Sequence, residues 1–140
     1  MIKIVERAIN VQEVIEDAMG AECGAVSVFI GTVRNRNEGK RVQSIYYDAY
    51  KKMAERNLKE IAREIKRKWK TKRVSIVHRI GKLKVGEISV VIAIGTPHRK
   101  EAFEASRYAI ERIKEFLPIW KQEFYAGGKR WVSGKQIRPS

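Results

Sequence analysis

Residues 88–125 read ISVVIAIGTPHRKEAFEASRYAIERIKEFLPIWKQEFY. The apolar, β-branched run from Ile88 to Ile94 predicts a buried strand. Thr96 and Pro97 then stand where an N-cap and a first helical residue belong, because a helix leaves its first N–H groups unpaired and proline has none to lose. The helix is expected to run to about Leu117, where Pro118 removes a backbone donor and stops it. Ile119–Tyr125 and Lys129–Val132 predict a terminal hairpin around Gly127–Gly128.

The same alternation extends toward the N-terminus. Ile2 and Ile4, set among charged residues, read as a short strand. Asn10, with Glu13 three positions on, resembles a capping box and starts a short helix ending near Gly20. The run GAVSVFIGTV (24–33), bounded by glycine, reads as a buried strand, and RNRNEGKR (34–41) as a polar loop. Val42, Ile45, Tyr46 and Tyr47 restore a strand. Met53, Ala54, Leu58, Ile61, Ala62, Ile65 and Trp69 recur at gaps of mostly three and four, which marks an amphipathic helix with a basic outer face. Val74, Ile76 and Val77 give a strand running to His78, and GKLKVG (81–86) reads as a turn or small loop. Strands alternating with two long helices predict an α+β domain spanning residues 1–140, built on a single antiparallel or mixed sheet.

Composition bounds the function. The chain has 140 residues, of which 44% are hydrophobic, enough for a core, so a disordered basic tail is excluded. Lys and Arg number 30 against 16 Asp and Glu, a net charge of +14 that suits nucleic acid, anionic small molecules or acidic protein partners. No apolar run approaches the ~18 residues of a membrane span. The N-terminal segment has charges inside every apolar run, unlike a signal peptide, so the cytosol is the expected location. One cysteine, Cys23, rules out an internal disulfide and a Cys-rich metal site. His78 and His98 lack ligand-like spacing, so neither a metal nor a cofactor is expected.

Candidate chemistry gathers around the last long helix. Phe103, Ile110 and Leu117 form one stripe at 100° per residue, with Arg99 and Lys114 on it or beside it. His98 and Arg99 lie in the first helical turn, where free N–H groups attract a phosphate or carboxylate. The alternative is that Arg99 and Lys114 reach from the core edge into water. Lys114 and Lys121, seven positions apart, would depress each other's pKa in an apolar cleft and could serve as a proton carrier or a cationic pair. Arg34 and Arg36, after the strand ending at Val33, form a second basic cluster, although Arg41 after Lys40 rules out a GxxxxGK[ST] phosphate loop. Cys23 and His78 read as structural residues, and no serine sits in a GxSxG context. The carboxylates read as surface pairs, and Trp69, Trp120 and Trp131 as core or interface anchors.

Six motifs occur in order: FxGxVRxxNxG (29–39), YxAYxxMAE (47–55), HRIGxLxxGE (78–87), PHRxEAFEA (97–105), KxxxPIWKxE (114–123) and GGxRWV (127–132). Together they resemble the large, catalytic subunit of molybdopterin synthase, the MoaE family, over nearly the whole chain. The resemblance implies a hammerhead-like α+β fold. It implies transfer of sulfur to cyclic pyranopterin monophosphate, forming the dithiolene of molybdopterin. The sulfur donor would be the C-terminal Gly-Gly thiocarboxylate of a small ubiquitin-like subunit, in a heterotetramer built on a homodimer. The resemblance further implies that Lys114 and Lys121 are the active-site lysines. It assigns substrate binding to Arg34, His98, Arg99 and the pocket-lining Phe29, with Lys135 as a further basic position and both subunits contributing to one pocket. The runner-up class is a basic nucleic-acid-binding domain, whose best feature is the helix carrying Lys51, Lys52, Lys59, Arg63, Lys66 and Lys70.

Overall fold

The computed structural model describes residues 1–133, with side chains through Trp131; Lys135 lies outside the described residues. The elements are β1 (Ile2–Val5), α1 (Val11–Asp17), β2 (Ala25–Thr32), β3 (Arg36–Asn37), β4 (Lys40–Ala49), α2 (Lys51–Lys68), β5 (Arg73–Arg79), β6 (Gly81–Lys84), β7 (Ile88–Thr96), α3 (Arg99–Phe116), β8 (Ile119–Tyr125) and β9 (Gly128–Ser133). The class is α+β with two long helices, as expected, but the expected single sheet is two. A four-stranded sheet has the order β1-β5-β7-β2 and is mixed, because β1 runs parallel to β5. The second sheet has the order β3-β4-β8-β9, with β6 also paired to β4.

Hydrophobic periodicity explains the layers. Ala54, Leu58, Ile61, Ala62 and Ile65 on α2 are buried, and Leu58, Ile61 and Ile65 are fully so. Burying each of those large side chains is worth roughly 1.5–3 kcal/mol. They join Ile76, Ile92 and Ile94 of the first sheet in the main core. The opposite face of that sheet packs Val77, Val91 and Ala93 against Val14 and Ala18 at α1. The α1 cap is as expected: the Asn10 side chain accepts from the Glu13 N–H at 3.1 Å.

Several local expectations are corrected. β2 is an edge strand, and its Val28 and Ile30 are exposed rather than buried. The polar loop after it is a tight hairpin: Arg36 and Asn37 pair with Arg41 and Lys40. Glu38 and Gly39 both take positive φ there, the backbone a two-residue turn needs. GKLKVG contains β6, whose Leu83 is fully buried between exposed Lys82 and Lys84; an alternation this short escapes pattern reading. The N-cap of α3 is His98, not Thr96, because Thr96 still pairs with Ala25 of β2.

The stripe on α3 is also corrected. Its buried face is Ala102, Ala105, Ser106, Ala109 and Ile113, while Phe103 is 66% exposed. On the helical wheel this small-residue face lies about 80° from the Phe103–Ile110–Leu117 line. Small side chains let the helix approach the sheet closely, so residue size points to the wrong face. Of the larger residues on the flank, Ile110 and Leu117 line a cavity at the C-terminal end of α3.

Candidate active site

A cavity of about 450 Å³ lies where the two sheets meet the C-terminal end of α3. The end of β2 supplies Phe29 and Gly31, with Arg34 just beyond it; α3 supplies Ile110 and Lys114; β8 supplies Lys121.

Local backbone irregularity aims these groups. β2 pairs Gly31 with Val90 and Thr32 with Ile88, so Ser89 is an extra residue on β7. Such a bulge bends the strand pair at its end. The Ser89 hydroxyl donates to the Gly31 carbonyl at 3.2 Å. A Cβ at position 31 would come within 2.7 Å of Val90, so glycine permits the close approach. At the other wall, Pro118 follows the last turn of α3 and β8 begins at once. Lys121 then faces inward with Ile119 and Glu123 by the two-residue strand period.

Of the residues singled out from the sequence, Phe29, Arg34, Lys114 and Lys121 share this cavity, and Arg36 lines it too. His98 and Arg99 do not line it; both are exposed at the start of α3. Lys114 lies fifteen positions beyond Arg99 on α3, a rise of about 22 Å. One chain therefore does not gather all the expected anion ligands in one place.

The cavity is electrostatically asymmetric. Burial pushes the Lys121 pKa down; the Glu123 carboxylate opposes this, and Lys114, Arg34 and Arg130 add to the depression. The expected mutual effect of the lysine pair is thus present at Lys121, as a contribution smaller than burial. Lys114 is exposed at the cavity edge rather than desolvated.

Asn37, Tyr47 and Glu123 stand in the sequence motifs, but the motifs assign no role in the site to them or to Ser89. Glu123 is only 1% exposed, unlike the surface carboxylates around it. Its Oε1 accepts from the Tyr125 hydroxyl at 2.8 Å and from Arg130 Nε at 3.2 Å. Its Oε2 accepts from the Asn37 amide at 2.7 Å, and Asn37 Oδ1 accepts from Arg34 at 3.5 Å. The signal that could have found Glu123 is the inward alternation Ile119–Lys121–Glu123. Cys23, by contrast, fits its structural reading: burial raises its pKa, away from a reactive thiolate.

Comparison with known proteins gives one consistent result. The family model described as MoaE protein matches residues 4–116. A relative from Halalkalibacterium halodurans, a molybdopterin synthase catalytic subunit, is 50% identical over 134 residues, covering 96% of this chain and 85% of the relative. The corresponding subunit of Bacillus subtilis is 46% identical, with 96% of this chain and 85% of that protein covered. Among solved structures, molybdopterin synthase from Staphylococcus aureus superposes with a TM-score of 0.90 at 44% identity, covering 94% of this chain and 96% of that one.

Proposed function

Because this chain belongs to the MoaE family, we propose that it is the catalytic subunit of a molybdopterin synthase, an enzyme that acts in the cytoplasm. It transfers sulfur from the C-terminal thiocarboxylate of a small ubiquitin-like subunit to cyclic pyranopterin monophosphate. The observation that carries this reading is the convergence of Arg34, Lys114 and Lys121 on one cavity that Phe29 also lines.

The chemistry follows from the charges. Substrate phosphate and partner thiocarboxylate are both anions, and the cavity presents cations to both. Arg34 holds the phosphate by charge-assisted hydrogen bonds and fixes the orientation of the ring. Lys121 pairs with the incoming thiocarboxylate. Two tails react in turn: each sulfur attacks a substrate carbon, a C–S bond forms as a C–O bond at that carbon breaks, and the displaced oxygen leaves as a phosphate oxygen or, once protonated, as water. Water then cleaves the acyl–sulfur bond, so the tail leaves as a carboxylate and the sulfur stays on the substrate. Lys114 moves protons at the reacting carbon and stabilises the oxyanion formed as the acyl–sulfur bond breaks. The nucleophile is the partner's sulfur, so Cys23 has no part in the step.

His98 and Arg99 serve the cavity of a second copy of the chain, in a homodimer that carries one small subunit at each end. Their exposure and their distance from Lys114 along α3 support this assignment over one within a single chain.

The test is conversion in vitro. The chain, incubated with the thiocarboxylated small subunit and the pyranopterin substrate, is expected to yield the dithiolene product. Persistent substrate with an intact thiocarboxylate would contradict the proposal.

A further inference from the structure

We propose that His78 determines how the heterocycle is held in this cavity: its Nε2 lone pair accepts a hydrogen bond from a ring N–H of the bound substrate. This rests on the proposed sulfur-transfer function and deepens it, because a fused pterin carries such N–H groups.

His78 lies near the end of β5, lines the cavity, and is 7% exposed. Its Nδ1 is 2.9 Å from the Arg79 carbonyl oxygen. A carbonyl only accepts, so Nδ1 carries the proton and, in the neutral ring, Nε2 carries a lone pair. The ring is neutral at physiological pH. Burial lowers its pKa to about 4, the Arg79 carbonyl opposes that shift, and the Lys114 charge adds to it. Tyr47 holds the ring edge-on, with centroids 5.5 Å apart and planes at 80°.

The other buried polar side chains lining the cavity are already engaged. Ser89 donates to the Gly31 carbonyl. Both carboxylate oxygens of Glu123 accept from Asn37, Tyr125 and Arg130. The cations Arg34, Arg36, Lys114 and Lys121 offer donors only. Among the described residues, Nε2 of His78 has no hydrogen-bond partner. Thr32 and Tyr47 also line the cavity, and their hydroxyls can donate as well as accept. Nε2 of the neutral His78 ring accepts only, so it is the group that selects a ring N–H over another acceptor.

The experiment compares His78→Phe, which keeps a ring against Tyr47 but has no acceptor, with His78→Gln, which offers a carbonyl oxygen. Substrate affinity, KM and kcat are measured with the complete two-subunit enzyme, with thermal melts as a check of folding. Inorganic phosphate serves as a probe of the cationic end. His78→Phe is expected to raise KM and substrate Kd about 10- to 100-fold, to leave kcat within about threefold, and to leave phosphate affinity unchanged. His78→Gln is expected to recover part of the loss. An unchanged KM in folded His78→Phe, an equal loss of phosphate and substrate affinity, or a fall in kcat alone would overturn the assignment. If His78→Phe does not fold, the wild-type enzyme is tested with a substrate analogue whose ring N–H groups are methylated, and equal affinity overturns it. A wild-type enzyme that neither binds nor converts the substrate overturns the sulfur-transfer reading itself, and this assignment with it.

Discussion

The side-chain amide of Asn37 donates to the buried carboxylate of Glu123 across 2.7 Å, although the two residues are 86 positions apart. This bond joins the turn next to Arg34 to the strand that carries Lys121, the two cationic walls of the cavity. Glu123 also receives Arg130 from β9, so three chain segments meet on one carboxylate. Asn37→Ala removes one donor and leaves Glu123 Oε2 buried without it. A loss of about 1–3 kcal/mol in stability is expected from urea unfolding, together with a higher KM as Arg34 loses its anchor. Wild-type stability and KM would show that the contact is incidental.

Glu123 also acts on Lys121 through charge. Burial already lowers the Lys121 pKa, and Glu123 is the group that opposes this. Glu123→Gln removes that opposition, so the Lys121 cation is lost at a lower pH. The alkaline limb of small-subunit binding should therefore move toward neutral pH. A binding profile that stays in place would remove Lys121 from tail capture.

If His98 and Arg99 serve a neighbouring copy, two inactive variants should complement each other. A dimer of one Lys114→Ala chain and one Arg99→Ala chain has one intact site and one doubly altered site. Random mixing makes half the dimers of this kind, so about a quarter of wild-type activity is expected. No recovery in a mixture shown to exchange subunits would place Arg99 outside the pocket. Arg34→Ala, altered within the cavity itself, should lose about 1.5–3 kcal/mol of substrate binding without loss of fold, read from titration and thermal melts.

His78 makes stability depend on pH with a definite sign. Its folded pKa, about 4, lies below the ordinary value of 6.5 because the neutral ring is buried. Between those values the unfolded chain binds a proton that the folded chain does not, so stability falls as pH falls from 6.5 toward 4. The slope is about 1.4 kcal/mol per pH unit for one group. His78→Gln should remove that slope from denaturation curves, and a variant that keeps it would assign the proton to another residue.

The strand–helix alternation was legible because α2 and β7 carry strong, long patterns: Leu58, Ile61 and Ile65 on one helical face, and unbroken apolar residues from Val90 to Ile94. The second sheet was not legible, because β3 and β6 are two and four residues long and β4, the partner of β6, lies far off in sequence. Arg34, Lys114 and Lys121 stand out as cations beside apolar runs. Glu123 and His78 do not, because a buried carboxylate and a surface one look alike until the partners Asn37, Tyr125 and Arg130 are in place. The stripe on α3 failed for a packing reason: alanines, not Phe103, face the sheet.

On the proposed mechanism, sulfur is transferred at the cavity edge where Lys114 stands. That mechanism is tested most directly by single-turnover dithiolene formation in Lys114→Ala, using thiocarboxylated small subunit and saturating substrate. The rate is expected to fall by orders of magnitude while melting temperature and small-subunit affinity stay near wild type, because Lys114 is exposed and supports no core contact. Lys114→Arg should recover little, since a guanidinium does not give up its proton. A Lys114→Ala enzyme that forms dithiolene at a near wild-type rate would contradict the account.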